Sequence, residues 1–69
     1  MSALTFRTVR PGYYRAEGTS GNVYDLRRRP EADDEIVDLY VNQKLRGAGF
    51  IGYADAHESA QEIENGSAS

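Results

Sequence analysis

The residues of this 69-residue chain best suited to chemistry are arginines and tyrosines gathered in its first half. Arg27-Arg28-Arg29 form a triplet, with Tyr13 and Arg15 on an earlier segment and Lys44 on a later one. A guanidinium presents a planar fork of donors that matches a carboxylate or a phosphate, and a tyrosine presents a rigid amphipathic face. On a strand, side chains alternate, so Arg27 and Arg29 project from one face and Arg28 from the other. Tyr13, Arg15, Arg27, Arg28 and Arg29 are therefore the candidate partner-binding residues. The opposing reading pairs these arginines, inside the fold, with the acids of the second half.

No set of residues with catalytic spacing competes with them. Gly47-Ala48-Gly49-Phe50-Ile51-Gly52 has the literal GxGxxG spacing that brings backbone against a pyrophosphate,. That use needs a long helix starting in the motif, a returning parallel strand and an acid about 20 residues on. The chain after Gly52 is too short for this, so a glycine-rich hairpin or bulge is expected instead. His57 is the single histidine and there is no cysteine, so no catalytic pair, disulfide or metal site is expected, and no cofactor,. Asp33, Asp34, Glu35 and Asp38 lack the spacing and glycine of a calcium loop and read as a solvated segment or as partners for the arginines. An enzyme is not expected.

Chain length sets the next constraint. A domain this small buries only about 60% of the surface of its unfolded chain, so its stability is marginal. With neither disulfide nor metal to supplement the core, self-association as a homodimer is the expected remedy. The formal charge is -3 and the pI about 4.9, but the charges are segregated. Residues 1–30 hold six arginines against Glu17 and Asp25, whereas residues 31–69 hold Lys44 and Arg46 against nine acids. No apolar run approaches the ~20 residues that span a bilayer, and the start lacks a signal-peptide core, so a cytoplasmic location without membrane attachment is expected.

These residues need elements to position them. Leu4 and Phe6 alternate with Thr5 and Arg7, and Tyr14 and Ala16 alternate with Tyr13, Arg15 and Glu17, on either side of a turn or bulge at Pro11-Gly12. Gly18 to Asn22 read as a loop, and Val23 to Arg28 as the second strand of a hairpin. Residues 31–46 carry helix punctuation, with Pro30 and the acids at one end and Lys44, Arg46 and Gly47 at the other. Yet Val37, Leu39 and Val41 alternate cleanly, and the β-branched content favours a strand. The strand is preferred, with residues 31–46 helical as the alternative. A turn follows at Asn42-Gln43 or Gly47-Ala48, and Phe50 to Ala54 form the last strand.

The final segment predicts a helix over residues 56–65. Asp55 and Glu58 have capping-box spacing, Ala56, Ala60 and Ile63 share one face, Asn65-Gly66 stop the helix, and residues 66–69 form a disordered tail. The fold class is α+β: a three- to four-stranded antiparallel sheet with the C-terminal helix on one face, in a single domain over residues 1–65. The expected core is Leu4, Phe6, Tyr14, Tyr24, Leu26, Val37, Leu39, Val41, Phe50, Ile51, Ala60 and Ile63.

The run Gly12-Tyr13-Tyr14, then Val23-Tyr24-Asp25-Leu26, then Gly49-Phe50-Ile51-Gly52-Tyr53 before a short alanine-containing helix resembles small accessory proteins of actinobacterial phages. The order of sheet and helix is also similar to arm-type DNA-binding domains of integrases and to AP2 domains, which lay a sheet in a DNA groove. This chain differs from those in lacking tryptophan and in its acidic sum. The expectation is a small non-enzymatic interaction protein that binds a protein partner through a sheet face or edge, a host factor if the phage resemblance holds. The alternative is nucleic-acid binding through the basic N-terminal hairpin.

Overall fold

In the computed structural model, which describes residues 3–67 and only the backbone at 67, the segment with competing helix and strand readings is extended. Five strands precede one helix: β1 (Arg7–Arg10), β2 (Tyr13–Glu17), β3 (Val23–Arg28), β4 (Ile36–Val41), β5 (Lys44–Ile51) and α1 (Tyr53–Ser67). The strands form one sheet in sequence order, every pair antiparallel. The α+β class stands, with five strands rather than three or four.

The helical alternative for residues 31–46 fails for a physical reason. As a helix, this stretch would spread Ile36, Val37, Leu39, Tyr40 and Val41 around more than half its circumference. As β4 it puts Val37 and Leu39, both fully buried, on the core side and Ile36, Asp38 and Tyr40 on the other,. Burying each of these two side chains contributes about 1.5–3 kcal/mol. The turn at Asn42-Gln43 has positive φ at both residues, 52° and 69°, as a two-residue type I′ hairpin requires,. Asn42 tolerates this conformation well, and its side chain ties the turn to the start of β3, accepting from the Val23 N–H at 3.0 Å,.

The last strand differs most from expectation. It is Lys44–Ile51, not Phe50 to Ala54, and it runs straight through Gly47-Ala48-Gly49. The pairing with β4 slips twice, so that Leu39 faces Gly47 while Tyr40 faces Leu45, and Val37 faces Phe50. These bulges bend the strand without ending it. As a result Ile51 pairs with Ile36 on the side away from the helix and is 68% exposed, so it is not a core residue.

Helix α1 begins at Tyr53, three residues before the expected start, and continues through Asn65-Gly66 to Ser67. Asp55 therefore lies inside the first turn, where its charge complements the helix dipole, and is not the cap,. The expected stop at Asn65-Gly66 is overridden by packing one residue earlier, at Glu64. Of the expected tail, Ala68 and Ser69 lie outside the described residues. The apolar stripe holds: Ala56 and Ala60 are fully buried and Ile63 packs against the core, together with Leu4, Ala16, Tyr24, Leu26, Val37 and Leu39. The helix covers β3, β4 and β5.

Leu4 and Phe6 do not form a strand. Their segment crosses the helix, with the Leu4 N–H donating to the Gln61 side chain at 2.7 Å and the Phe6 ring meeting His57 edge-on at 4.8 Å. No helix among the described residues is long and apolar enough to cross a membrane.

Candidate functional site

One side of the sheet is covered by α1 and the other is open. Strand alternation decides what the open side carries. Tyr13, Arg15 and Glu17 of β2 face outward because Tyr14 and Ala16 face the core, and Val23, Asp25 and Arg27 of β3 do so because Tyr24 and Leu26 face the core,. Cross-strand partners share a face: Arg7 lies opposite Arg15, Arg10 opposite Tyr13, and Leu45 opposite Tyr40,. Five of the six N-terminal arginines, Arg7, Arg10, Arg15, Arg27 and Arg29, thus share the open side, and only Arg28 lies on the helix side.

The arginines are held in two different ways. Three meet carboxylates. Arg29 binds Asp38 with two nitrogens, Nε at 3.0 Å and Nη2 at 2.9 Å, which lowers the Asp38 pKa, aided by the Gly49 N–H, and raises that of Arg29,. Arg15 donates to Asp25 Oδ1 at 2.8 Å and to the Tyr13 hydroxyl at 2.7 Å; the hydrogen bond to Asp25 is the main cause of its raised pKa. Arg7 reaches Glu17 at 3.4 Å between two exposed side chains, a contact of little energetic weight,. The other two, Arg10 and Arg27, meet no carboxylate among the described residues.

Arg27 is clamped between aromatic rings, its guanidinium carbon 4.9 Å from the Tyr13 centroid and 4.5 Å from that of Tyr40. Arg10 and Arg15 also approach the Tyr13 ring, at 5.5 and 5.6 Å. Each contact is a cation–π attraction worth about 0.5–1 kcal/mol at an exposed site. Their joint effect is to hold Arg27 in one place with its donor fork still available.

Asp25 anchors this arrangement. It is fully buried although it points to the open side, because its cross-strand neighbours Arg15 and Tyr40 close over it. Its Oδ2 has no hydrogen-bond partner among the described residues. A buried ion pair adds little net stability after desolvation; what it fixes here is the position of Arg15, and through it the Tyr13 hydroxyl.

Of the candidate residues, the structure brings together Tyr13, Arg15, Arg27 and Arg29 and separates Arg28. That arginine lines a groove on the helix side with Pro11, Tyr14, Pro30 and Tyr53. Lys44 faces the same side as Val41 and stays apart as well. Arg10 and Tyr40 complete the cluster. Tyr40 was legible as the outward residue between Leu39 and Val41, whereas the place of Arg10 depends on pairing across the turn.

The face also exposes apolar side chains at the two ends of β5. Leu45 and Ile51 are 58% and 68% exposed, and Ile36 lies opposite Ile51. The exposed acids of α1, Asp55, Glu58 and Glu62, lie on the far side of the molecule and make no ion pair among the described residues. Part of the charge separation seen along the sequence therefore persists in space, and Arg29–Asp38 is the one described ion pair that joins the two halves.

The remaining motifs have structural roles. A Cβ at Gly47 would meet the Phe50 ring at 2.8 Å, Gly49 has φ +79° at a bulge, and Gly52 has φ +89° just before α1. The GxGxxG spacing therefore seats an aromatic ring, bends a strand and starts a helix, in a sheet whose strands all pair antiparallel. His57 is exposed beside Phe6. Among the described residues no cluster of three His, Cys, Asp or Glu side chains could hold a metal ion.

Glu64 was not anticipated. It is 2% exposed and accepts from the Tyr24 hydroxyl at 2.8 Å, the Ser20 N–H at 3.0 Å, the Thr19 hydroxyl at 3.2 Å and the Ser20 hydroxyl. These donors, the Ser20 hydroxyl first, hold its pKa down at about 2. It fastens the end of α1 to the loop between β2 and β3. The signal was present, since Glu64 continues the four-residue spacing of buried Ala56 and Ala60.

Comparison with known protein families, curated proteins and solved structures gives no match for this chain.

Proposed function

We propose that this chain is a small non-enzymatic interaction protein that binds a protein partner through the open face of its sheet. The observation that carries this reading is Arg27, clamped between Tyr13 and Tyr40 on the face that also exposes Leu45 and Ile51. Arginine and tyrosine dominate protein-binding hot spots because they offer area and directed donors at a low entropic cost, and fixing them in advance lowers that cost further. Exposed apolar side chains on the same face as such a cluster suit a protein surface.

The strand edges suit a partner less well. β1 is bulged and carries Arg7 and Arg10, and β5 is bulged twice. Bulges and charges are the usual protection of an edge against pairing with another strand.

Nucleic-acid binding is the second reading, favoured by five arginines on one face. Two of those five are firmly engaged, by Asp25 and Asp38, and Arg7 lies near Glu17, whereas release of counterions is greatest from uncommitted cations,. The test is capture of partners by the immobilised chain from nuclease-treated lysate of its own organism. A protein retained by the parent and by Glu58→Lys but lost from a folded Arg27→Glu variant supports the reading. Retention that disappears with nuclease, or that ignores Arg27→Glu, refutes it.

A further inference from the structure

The open face offers unequal resources along its width. Arg10 on β1 and Arg27 on β3 are cations without a carboxylate partner among the described residues, while Leu45 and Ile51 on β5 are exposed apolar side chains. We infer that the partner is an acidic protein segment lying across the strands, with carboxylates on Arg10 and Arg27 and an apolar side chain on Leu45, which lies opposite the Tyr40 that packs on Arg27. This inference rests on the proposed protein-binding role of the face and specifies the chemistry of the partner.

Charge complementarity selects the carboxylates. Arg27 is held by two rings yet keeps its donor fork, so a carboxylate can bind it with two hydrogen bonds at little cost in ordering,. Geometry sets the spacing. Strands lie about 4.8 Å apart, so β3 and β5 are separated by roughly 10 Å, and the whole face from β1 to β5 by roughly 19 Å. An extended segment crossing the strands covers 10 Å in about three residues and 19 Å in about six, at ~3.3 Å per residue. The segment therefore carries an acid and a large apolar residue about three positions apart.

Other occupants fit less of the surface. Single-stranded nucleic acid binds by stacking bases on aromatic rings, but the Tyr13 and Tyr40 rings already face Arg27,. A phosphate backbone makes no use of Leu45 and Ile51. A second copy placed face to face would set arginines against arginines. A second copy presenting α1 would offer Asp55, Glu58 and Glu62 but no apolar anchor, because the exposed large hydrophobic residues among the described ones are Val9, Leu45 and Ile51, none of them on the helix.

The experiment selects from a displayed library of random peptides of about twelve residues on the full-length chain, then rescreens the winners on Arg27→Glu, Leu45→Ser and Glu58→Lys variants whose thermal midpoints match the parent's. The expected result is enrichment of Asp or Glu about three positions from Leu, Ile, Phe or Trp. Binding should fall about tenfold or more in Arg27→Glu and in Leu45→Ser and be unchanged in Glu58→Lys. Winners that depend on Arg27 or Leu45 but show no acidic enrichment overturn the inference and leave the binding face intact. Absence of winners, winners indifferent to both substitutions, or winners sensitive only to Glu58→Lys overturn the binding face itself.

Discussion

Removing the Tyr24 hydroxyl isolates the anchor between helix and sheet. Tyr24 is fully buried, and its hydroxyl donates to Glu64 Oε1 at 2.8 Å and accepts from Asn22 at 3.2 Å. Tyr24→Phe keeps the ring, so it opens almost no cavity and deletes only these two bonds. A hydrogen bond to a charged group contributes about 1.5–3 kcal/mol. Because Glu64 keeps its Ser20 and Thr19 donors, the expected cost is at the low end, about 1.5 kcal/mol. With a urea slope of about 1 kcal/mol per molar for so small a domain, the midpoint at pH 7 should fall by about 1.5 M. Helicity monitored by circular dichroism reports it. The sign with pH is fixed: the pKa of Glu64 is about 2 when folded, below the unfolded carboxyl value of about 4.3,. The anchor therefore stabilises fully above pH ~4.3, and its contribution is lost as pH falls through about 2. The effect of Tyr24→Phe should accordingly shrink in a Glu64→Gln background, where the acceptor carries no charge. A midpoint shift below about 0.3 M, or an equal shift in both backgrounds, would refute the anchor.

Further predictions concern the loop, the edges and the charge. Gly18→Ala would place a methyl group on the Glu64 carboxylate, so it should lower the thermal midpoint by about 5 °C or more, whereas the same change at exposed Gly66 should not,. The bulged edges and the like charges on the open face predict a mass near 7.7 kDa by light scattering at about 100 μM; a stable dimer, the expectation from chain length alone, would contradict this,. Random duplex DNA should bind with a Kd weaker than about 10 μM at ~150 mM salt, because two of the five open-face arginines are firmly paired and Arg7 lies near Glu17,. Sub-micromolar binding lost in an Arg10→Ala, Arg27→Ala double variant would favour nucleic acid instead.

Alternation made much of this fold legible. Val23 to Arg28 and Ile36 to Val41 show two-residue periodicity because one side of each strand is buried, and the apolar stripe of α1 follows from the same logic at helical spacing. Glycines misled. Gly47-Ala48-Gly49 reads locally as a chain break, but its bulges are set by pairing with β4 and by the Phe50 ring, both distant in sequence or space. The arginine surface was half legible. Alternation within β3 separates Arg28 from Arg27 and Arg29, but the arrival of Arg10 and Tyr40 at Arg27 depends on register across four strands. Pairing of the arginines with the acids of the second half, the opposing reading, is met only by Arg29 and Asp38 among the described residues. The sheet instead places most arginines on one side and the helix acids on the other, and much of the pairing on the open face is local to the first half.

The most direct test of the binding face is site-specific photo-crosslinking. A photoreactive residue is placed at Leu45, on the open face, or at Glu58, on the exposed side of α1, and the full chain is irradiated in nuclease-treated lysate of its own organism. A discrete protein adduct from position 45, absent from position 58 and abolished by Arg27→Glu, is the predicted result. An adduct from position 58 with none from position 45 would contradict the account.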